Sequence, residues 1–144
     1  MTQEEKMLLI KDLSARLPYA VTVEHTSGFR GTLHDLTTFH LYDGDDIEDI
    51  DCGIHFFGDD DWFSVEYFKP YLFPLSSMTE KQKEEYHYIV NYISPDDTEN
   101  WEEGEFIYVN QIEQLLHFYH TNHLDYRGLI PKGLALDATG LNVY

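Results

Sequence analysis

Basic residues are scarce in this chain: nine lysines and arginines stand against 27 aspartates and glutamates, leaving a formal net charge of −18 over 144 residues. Direct nucleic-acid binding needs Lys and Arg to displace counterions from phosphates, so the balance argues against it. It also argues against attraction to an anionic membrane surface, and it points to a basic protein as partner. Cysteine is nearly missing too. Cys52 alone permits neither an internal disulfide nor a cysteine-rich zinc site, and it fits a reducing, cytoplasmic setting. No apolar run approaches the roughly 20 residues needed to cross a bilayer, and the opening MTQEEKMLLIKDLSARL lacks an apolar core of signal-peptide length. Neither a phosphate-binding loop of the GxxxxGK type nor GxGxxG nor the nucleophile elbow GxSxG occurs, so no cofactor is implied.

What remains is a normal-to-rich apolar fraction of 42%, with 15% aromatic, which is enough for a real core. The length is that of a single domain covering residues 1–144. Thr2 followed by Gln3, Glu4 and Glu5 is a helix start, and Pro18 stops the helix, so a helix is expected from Gln3 to Leu17. Met7, Leu9, Ile10, Leu13 and Leu17 form its buried stripe, with Asp12 and Arg16 falling between. Tyr19 to His25 and Phe29 to Leu36 read as strands joined by a turn at Ser27 and Gly28, and Thr37 to Tyr42 continues in β-favouring composition. The run DGDDIEDID is expected as a hairpin loop or solvated connection. Gly53 to Phe57 and Trp62 to Phe68 then form another strand pair across Gly58, Asp59, Asp60 and Asp61.

Prolines keep Lys69 to Pro74 extended. Thr79 with Gln82 is a capping box, and Tyr86, Ile89, Val90 and Ile93 mark a helix that ends before Pro95. An acidic loop from Ser94 to Glu105 carries Trp101. A last helix begins near Phe106 to Asn110, aligns Val109, Ile112, Leu116 and Tyr119, and ends at Asn122 as a left-handed C-cap. The run HLDYRGLIPKGLALD from His123 to Asp137 is too apolar for water and is expected to lie over the body and close its core. The fold class is therefore α+β: an N-terminal helix, a small mostly antiparallel sheet or partly closed barrel, two C-terminal amphipathic helices and an ordered tail.

The opening MTQEEKMLLIKDLSARLPYAV, the stretch KPYLFPLSSMTEKQKEEY and the run DYRGLIPKGLALDA resemble short uncharacterised proteins of gut Bacteroidales and of their phages and mobile elements. The resemblance implies an accessory gene of a phage or integrated element. It brings no known activity, and no catalytic residue is carried over.

The candidate chemistry lies in the acidic stretch. From Gly31 to Phe68 there is no lysine or arginine, while eleven carboxylates are present. Asp43 and Asp45 begin a calcium-loop pattern, but Ile47 takes the next ligand position and Ile54 stands where a bidentate glutamate should close it. A solvated face is the plain reading. The sharper one is a dense carboxylate band that occupies the nucleic-acid-binding groove of a basic protein, as phosphates would. Its candidate binding residues are Asp43, Asp45, Asp46, Glu48, Asp49, Asp59, Asp60, Asp61 and Trp62, with Phe56, Phe57 and Phe63 as apolar support. The alternative is a small metal-assisted enzyme or ligand-binding protein whose acidic pocket gathers His34, His40 or His55. His117 and His120 could share a zinc ion, but HExxH is missing, so no metal site and no catalytic residue are assigned. Arg127, beside Asp125, is expected to neutralise a carboxylate.

Overall fold

The computed structural model describes the backbone of residues 1–43, 46–56, 62–92 and 101–144, and their side chains apart from 37–43, 46–53, 55–56, 92 and 101–109. The chain gathers into two compact units, Met1–Leu72 with Arg127–Tyr144, and Phe73–Tyr126. Each has its own core.

The first unit opens with helix α1 (Gln3–Arg16). Thr2 accepts from the Glu5 amide and Glu5 reaches back to the Thr2 amide, a capping box that satisfies two otherwise orphaned donors. Leu9, Ile10 and Leu13 are buried as expected, but Met7 is exposed. The buried face instead takes in Lys6, Asp12 and Arg16. Lys6 is tied to Glu66 at 3.3 Å, and Asp12 and Arg16 pair with each other at 2.7 Å. The α-helix stops at Arg16 because Pro18 cannot continue it, and Leu17–Tyr19 tightens into a 3-10 turn.

The sheet has the order β4-β3-β2-β1-β5-β6. Its strands are β1 (Thr22–His25), β2 (Arg30–Asp43), β3 (Asp46–Phe56), β4 (Phe63–Ser64), β5 (Phe68–Leu72) and β6 (Leu136–Asp137). All neighbours are antiparallel except β5 and β6, which run parallel. The sheet stays open between β4 and β6 rather than closing into a barrel. β1 and β2 meet through a turn at Gly28, whose φ of +88° only glycine adopts without strain. The expected strand from Trp62 to Phe68 is broken: β4 holds two residues, Val65–Tyr67 is a 3-10 turn, and the chain then enters β5.

Val21, Val23, Leu33, Ile54, Val65, Phe68 and Leu72 join Leu9, Ile10 and Leu13 in one core. Each fully buried Leu, Val or Phe contributes about 1.5–3 kcal/mol. The tail completes that core with Leu129, Leu134 and Ala135 before adding β6 beside β5. It does so through turns rather than as a plain extended segment, with left-handed glycines at 128 and 133.

The second unit is a helical hairpin, α2 (Glu80–Tyr92) and α3 (Trp101–Thr121). Thr79 and Gln82 form the expected capping box in both directions. Ile89 is buried and Tyr86 half-buried, while Val90 is exposed; Ile93 lies outside the described residues. Helix α3 begins at Trp101, earlier than its apolar spacing indicates, so the loop expected from Ser94 to Glu105 is helical from Trp101 onward. Its packed face is also turned: Phe118 is buried against Ile89, Leu124, Leu115 and Tyr119, whereas Ile112 and Leu116 are exposed. The left-handed residue is His123 (φ 53°), not Asn122, whose side chain bonds the Phe118 carbonyl and accepts from Gln82. Among the described residues no helix is long and apolar enough to cross a membrane.

Candidate functional site

The acidic run is built into the sheet. Asp46 to Cys52 belongs to β3 and pairs with β2, which corrects the expectation of a loop or solvated connection. Ile47, Ile50 and Ile54 recur among the aspartates, and the facing strand carries Thr37, Thr38, Phe39, Leu41 and Tyr42. That β-branched and aromatic content outweighs the poor strand propensity of Asp once a partner strand is present. Asp43 stands opposite Asp46, and Asp49 opposite Leu41. The register slips between Leu41 and Tyr42, which face Asp49 and Ile47, so Glu48 is the extra residue of a bulge. Bulges twist and bend the strand that carries them. A calcium loop starting at Asp43 would need a continuous coiled turn where β3 now runs.

Of the remaining candidate residues, Asp45, Asp59, Asp60 and Asp61 lie outside the described residues, as does Phe57. Trp62 is 46% exposed at the entry to β4. Phe63 beside it is half-buried and packs on the core. An exposed aromatic patch follows. Phe29 and Tyr67 are both more than half exposed, and the Thr26 amide donates to the Tyr67 carbonyl, joining the β1–β2 turn to the 3-10 turn. His25 is the hub, with its ring 5.9 Å from Phe63, 5.9 Å from Tyr67 and 5.0 Å from Phe68.

A polar cluster that spacing did not reveal crosses β1, β2 and β5. Glu24 and Arg30 are register partners across the hairpin, and Arg30 Nε donates to Glu24 Oε2 at 2.7 Å. The Tyr71 hydroxyl donates to the same oxygen, and the Arg30 guanidinium lies 4.9 Å over the Tyr71 ring. The Tyr71 hydroxyl and then Arg30 hold the Glu24 carboxyl below its ordinary range. Burial, then the bond to Glu24, raises the Tyr71 phenol. Beside the cluster, Thr22, Arg30, Gly31, Thr32, Asn142 and Val143 line a cleft of about 290 Å³. The hairpin register, had it been aligned from the turn at Gly28, would have brought Glu24 and Arg30 together on paper. The arrangement neutralises Arg30 and offers no nucleophile.

Among the described residues the histidines do not converge. His117 is exposed and stands 3.5 Å from the Thr121 hydroxyl, whereas His120 is buried with Nε2 2.9 Å from the Tyr126 hydroxyl. Tyr126 in turn stacks on Tyr119 at 4.8 Å. His34 is exposed on β2, while the His40 and His55 side chains lie outside the described residues. Among the described residues no group of three or more His, Cys, Asp or Glu is placed to hold a metal ion. Arg127 meets a carboxylate as expected, that of the buried Asp12, at 3.2 Å.

No protein-family model, no curated protein and no solved structure matches this chain.

Proposed function

We propose that this protein is a non-enzymatic cytoplasmic interaction protein that presents an acidic, strand-built surface to a basic partner, occupying a surface on that partner that otherwise binds nucleic acid. The observation that carries this reading is the placement of Asp46 to Asp51 on a strand hydrogen-bonded to β2, rather than in a free loop. A backbone already paired as a strand loses little further entropy on binding, so the charge it carries is spent on the partner and not on ordering the segment. The net charge of −18 and the stretch from Gly31 to Phe68 without a single cation supply the field that steers a basic protein toward it. Trp62, Phe29 and Tyr67 add exposed aromatic rings of the kind that anchor interfaces. A role as an accessory of a phage or mobile element is consistent with such blocking activity.

The test is capture from a host lysate on immobilised protein, followed by elution with either salt or duplex DNA. The reading expects a basic, nucleic-acid-binding protein that leaves between about 50 mM and 200 mM salt and is displaced by duplex DNA. Captured proteins that resist both eluents, or no captured protein at low salt, would count against it.

A further inference from the structure

The β2–β3 hairpin outruns the rest of its sheet. β1 pairs with β2 only over Arg30 to Thr32, with one further bond from the Leu33 amide to the Val21 carbonyl, and β4 pairs with β3 only at Gly53 and Ile54. From Thr37 to Asp43 and from Asp46 to Cys52 the two strands pair with each other, and among the described residues no third strand joins them. The result is a two-stranded ribbon. Seven residues of strand span roughly 23 Å, so among the described residues the outer edge of β3 offers several backbone donors and acceptors on either side of the bulge at Glu48.

Sheet edges of this length are usually blunted by charged side chains, by proline, by a bulge or by coverage, and β3 has the charges and the bulge at Glu48 but, among the described residues, no covering strand. Here neither proline nor lysine occurs between Gly31 and Phe68, and the edge strand carries Asp46, Glu48, Asp49 and Asp51. Carboxylates do guard the edge against a second copy of the same strand, because like charges opposed across a ladder are destabilising. A strand of opposite charge meets no such barrier.

We infer that the outer edge of β3, from Asp46 to Cys52, receives an extended lysine- or arginine-rich segment of the partner as an added strand. Main-chain hydrogen bonds supply affinity in this mode and side-chain charge supplies choice of partner. The added strand removes an open edge from the ribbon, and the carboxylates on β3 match its cations. The inference rests on the acidic-surface reading above and specifies how that surface engages.

The test uses the full chain and two synthetic probes: an alternating Lys–Thr peptide of about ten residues, enough to span the edge, and the same peptide with its central amides N-methylated. Charge is equal in the two; backbone pairing is available only to the first. Strand addition predicts that the first binds at low salt and slows amide exchange at alternate residues of β3 at least about tenfold. It also predicts that the methylated probe binds at least about tenfold more weakly. Equal binding of both probes with unchanged β3 exchange would overturn strand addition and leave the acidic-surface reading standing. Failure of both probes to bind at low salt would remove that reading and the inference together.

Discussion

The Asp12 carboxylate and the Arg127 guanidinium meet at 3.2 Å, linking helix α1 to the tail, while the other Asp12 oxygen takes Arg16 Nε at 2.7 Å. Asp12 and Arg16 have fully buried side chains; that of Arg127 keeps about a fifth of its surface in solvent, 21%. Removing one member of a buried pair strands the other's charge. Asp12→Ala is therefore expected to lose about 3–5 kcal/mol in urea unfolding. Arg127→Met should lose less than Arg16→Met, because the Arg127 side chain as a whole keeps part of its surface in solvent whereas that of Arg16 keeps none. The triple variant Asp12→Leu, Arg16→Met, Arg127→Met, which leaves none of the three charges behind, should regain much of the loss, since well-packed apolar groups often replace a buried ionic group without penalty.

Closure of the first core by the tail is tested by truncating a side chain that has no other role. Leu129 is fully buried in that core, and Leu129→Ala should lower stability by about 2–5 kcal/mol. Leu141, 47% exposed, provides the contrast. Its substitution by alanine should stay within about 0.5 kcal/mol in the same denaturant titration.

Helix α2 depends on a local device. Thr79→Ala deletes the acceptor for the Gln82 amide and should cost about 1 kcal/mol. Gln82→Ala loses the reciprocal bond to the Thr79 amide and the bond to Asn122, so its effect on thermal unfolding should be at least as large.

These cases mark where residues alone were informative. The cap at Thr2 and the capping box at Thr79 were legible because each is a code of adjacent side chains and backbone amides, although the return bond from Glu5 was not read. The tail was legible because its leucines had to be covered. Strand β3 was not, since a run of aspartates reads as solvated until Ile47, Ile50 and Ile54 are set against their register partners on β2. Asp12 and Arg16 read as polar residues between the apolar positions of the helix; their burial and the ion pair with Arg127, remote in sequence, emerge only in the folded chain. Pairing across a sheet also hid the Glu24, Arg30 and Tyr71 cluster, whose members come from three strands.

Titration should reveal two of these contacts. The Glu24 carboxyl is held below its ordinary 4.5 by the Tyr71 hydroxyl and then by Arg30. Its contribution to stability is present above that unfolded value and disappears as pH falls through the lower folded one. Tyr144 works in the opposite sense. Burial pushes its phenol from 10.0 up to about 12, and its hydroxyl donates to the Tyr71 carbonyl while accepting from the Thr22 amide. Protonated Tyr144 is favoured in the folded state, so its stabilising share is complete below 10.0 and fades as pH climbs through about 12. Chemical denaturation across pH should show Glu24→Gln flattening the acid limb and Tyr144→Phe flattening part of the alkaline limb.

The charge on the ribbon is the centre of the functional account, and its salt dependence is the most direct measure of it. Binding of the captured basic partner should be followed by titration at several salt concentrations, for the native chain and for a variant with Asp46, Asp49 and Asp51 each replaced by Asn. The account predicts that the native affinity falls linearly on a log–log plot against salt, and that the variant binds more weakly with a shallower slope at unchanged unfolding stability. Equal slopes and equal affinities for the two chains would contradict it.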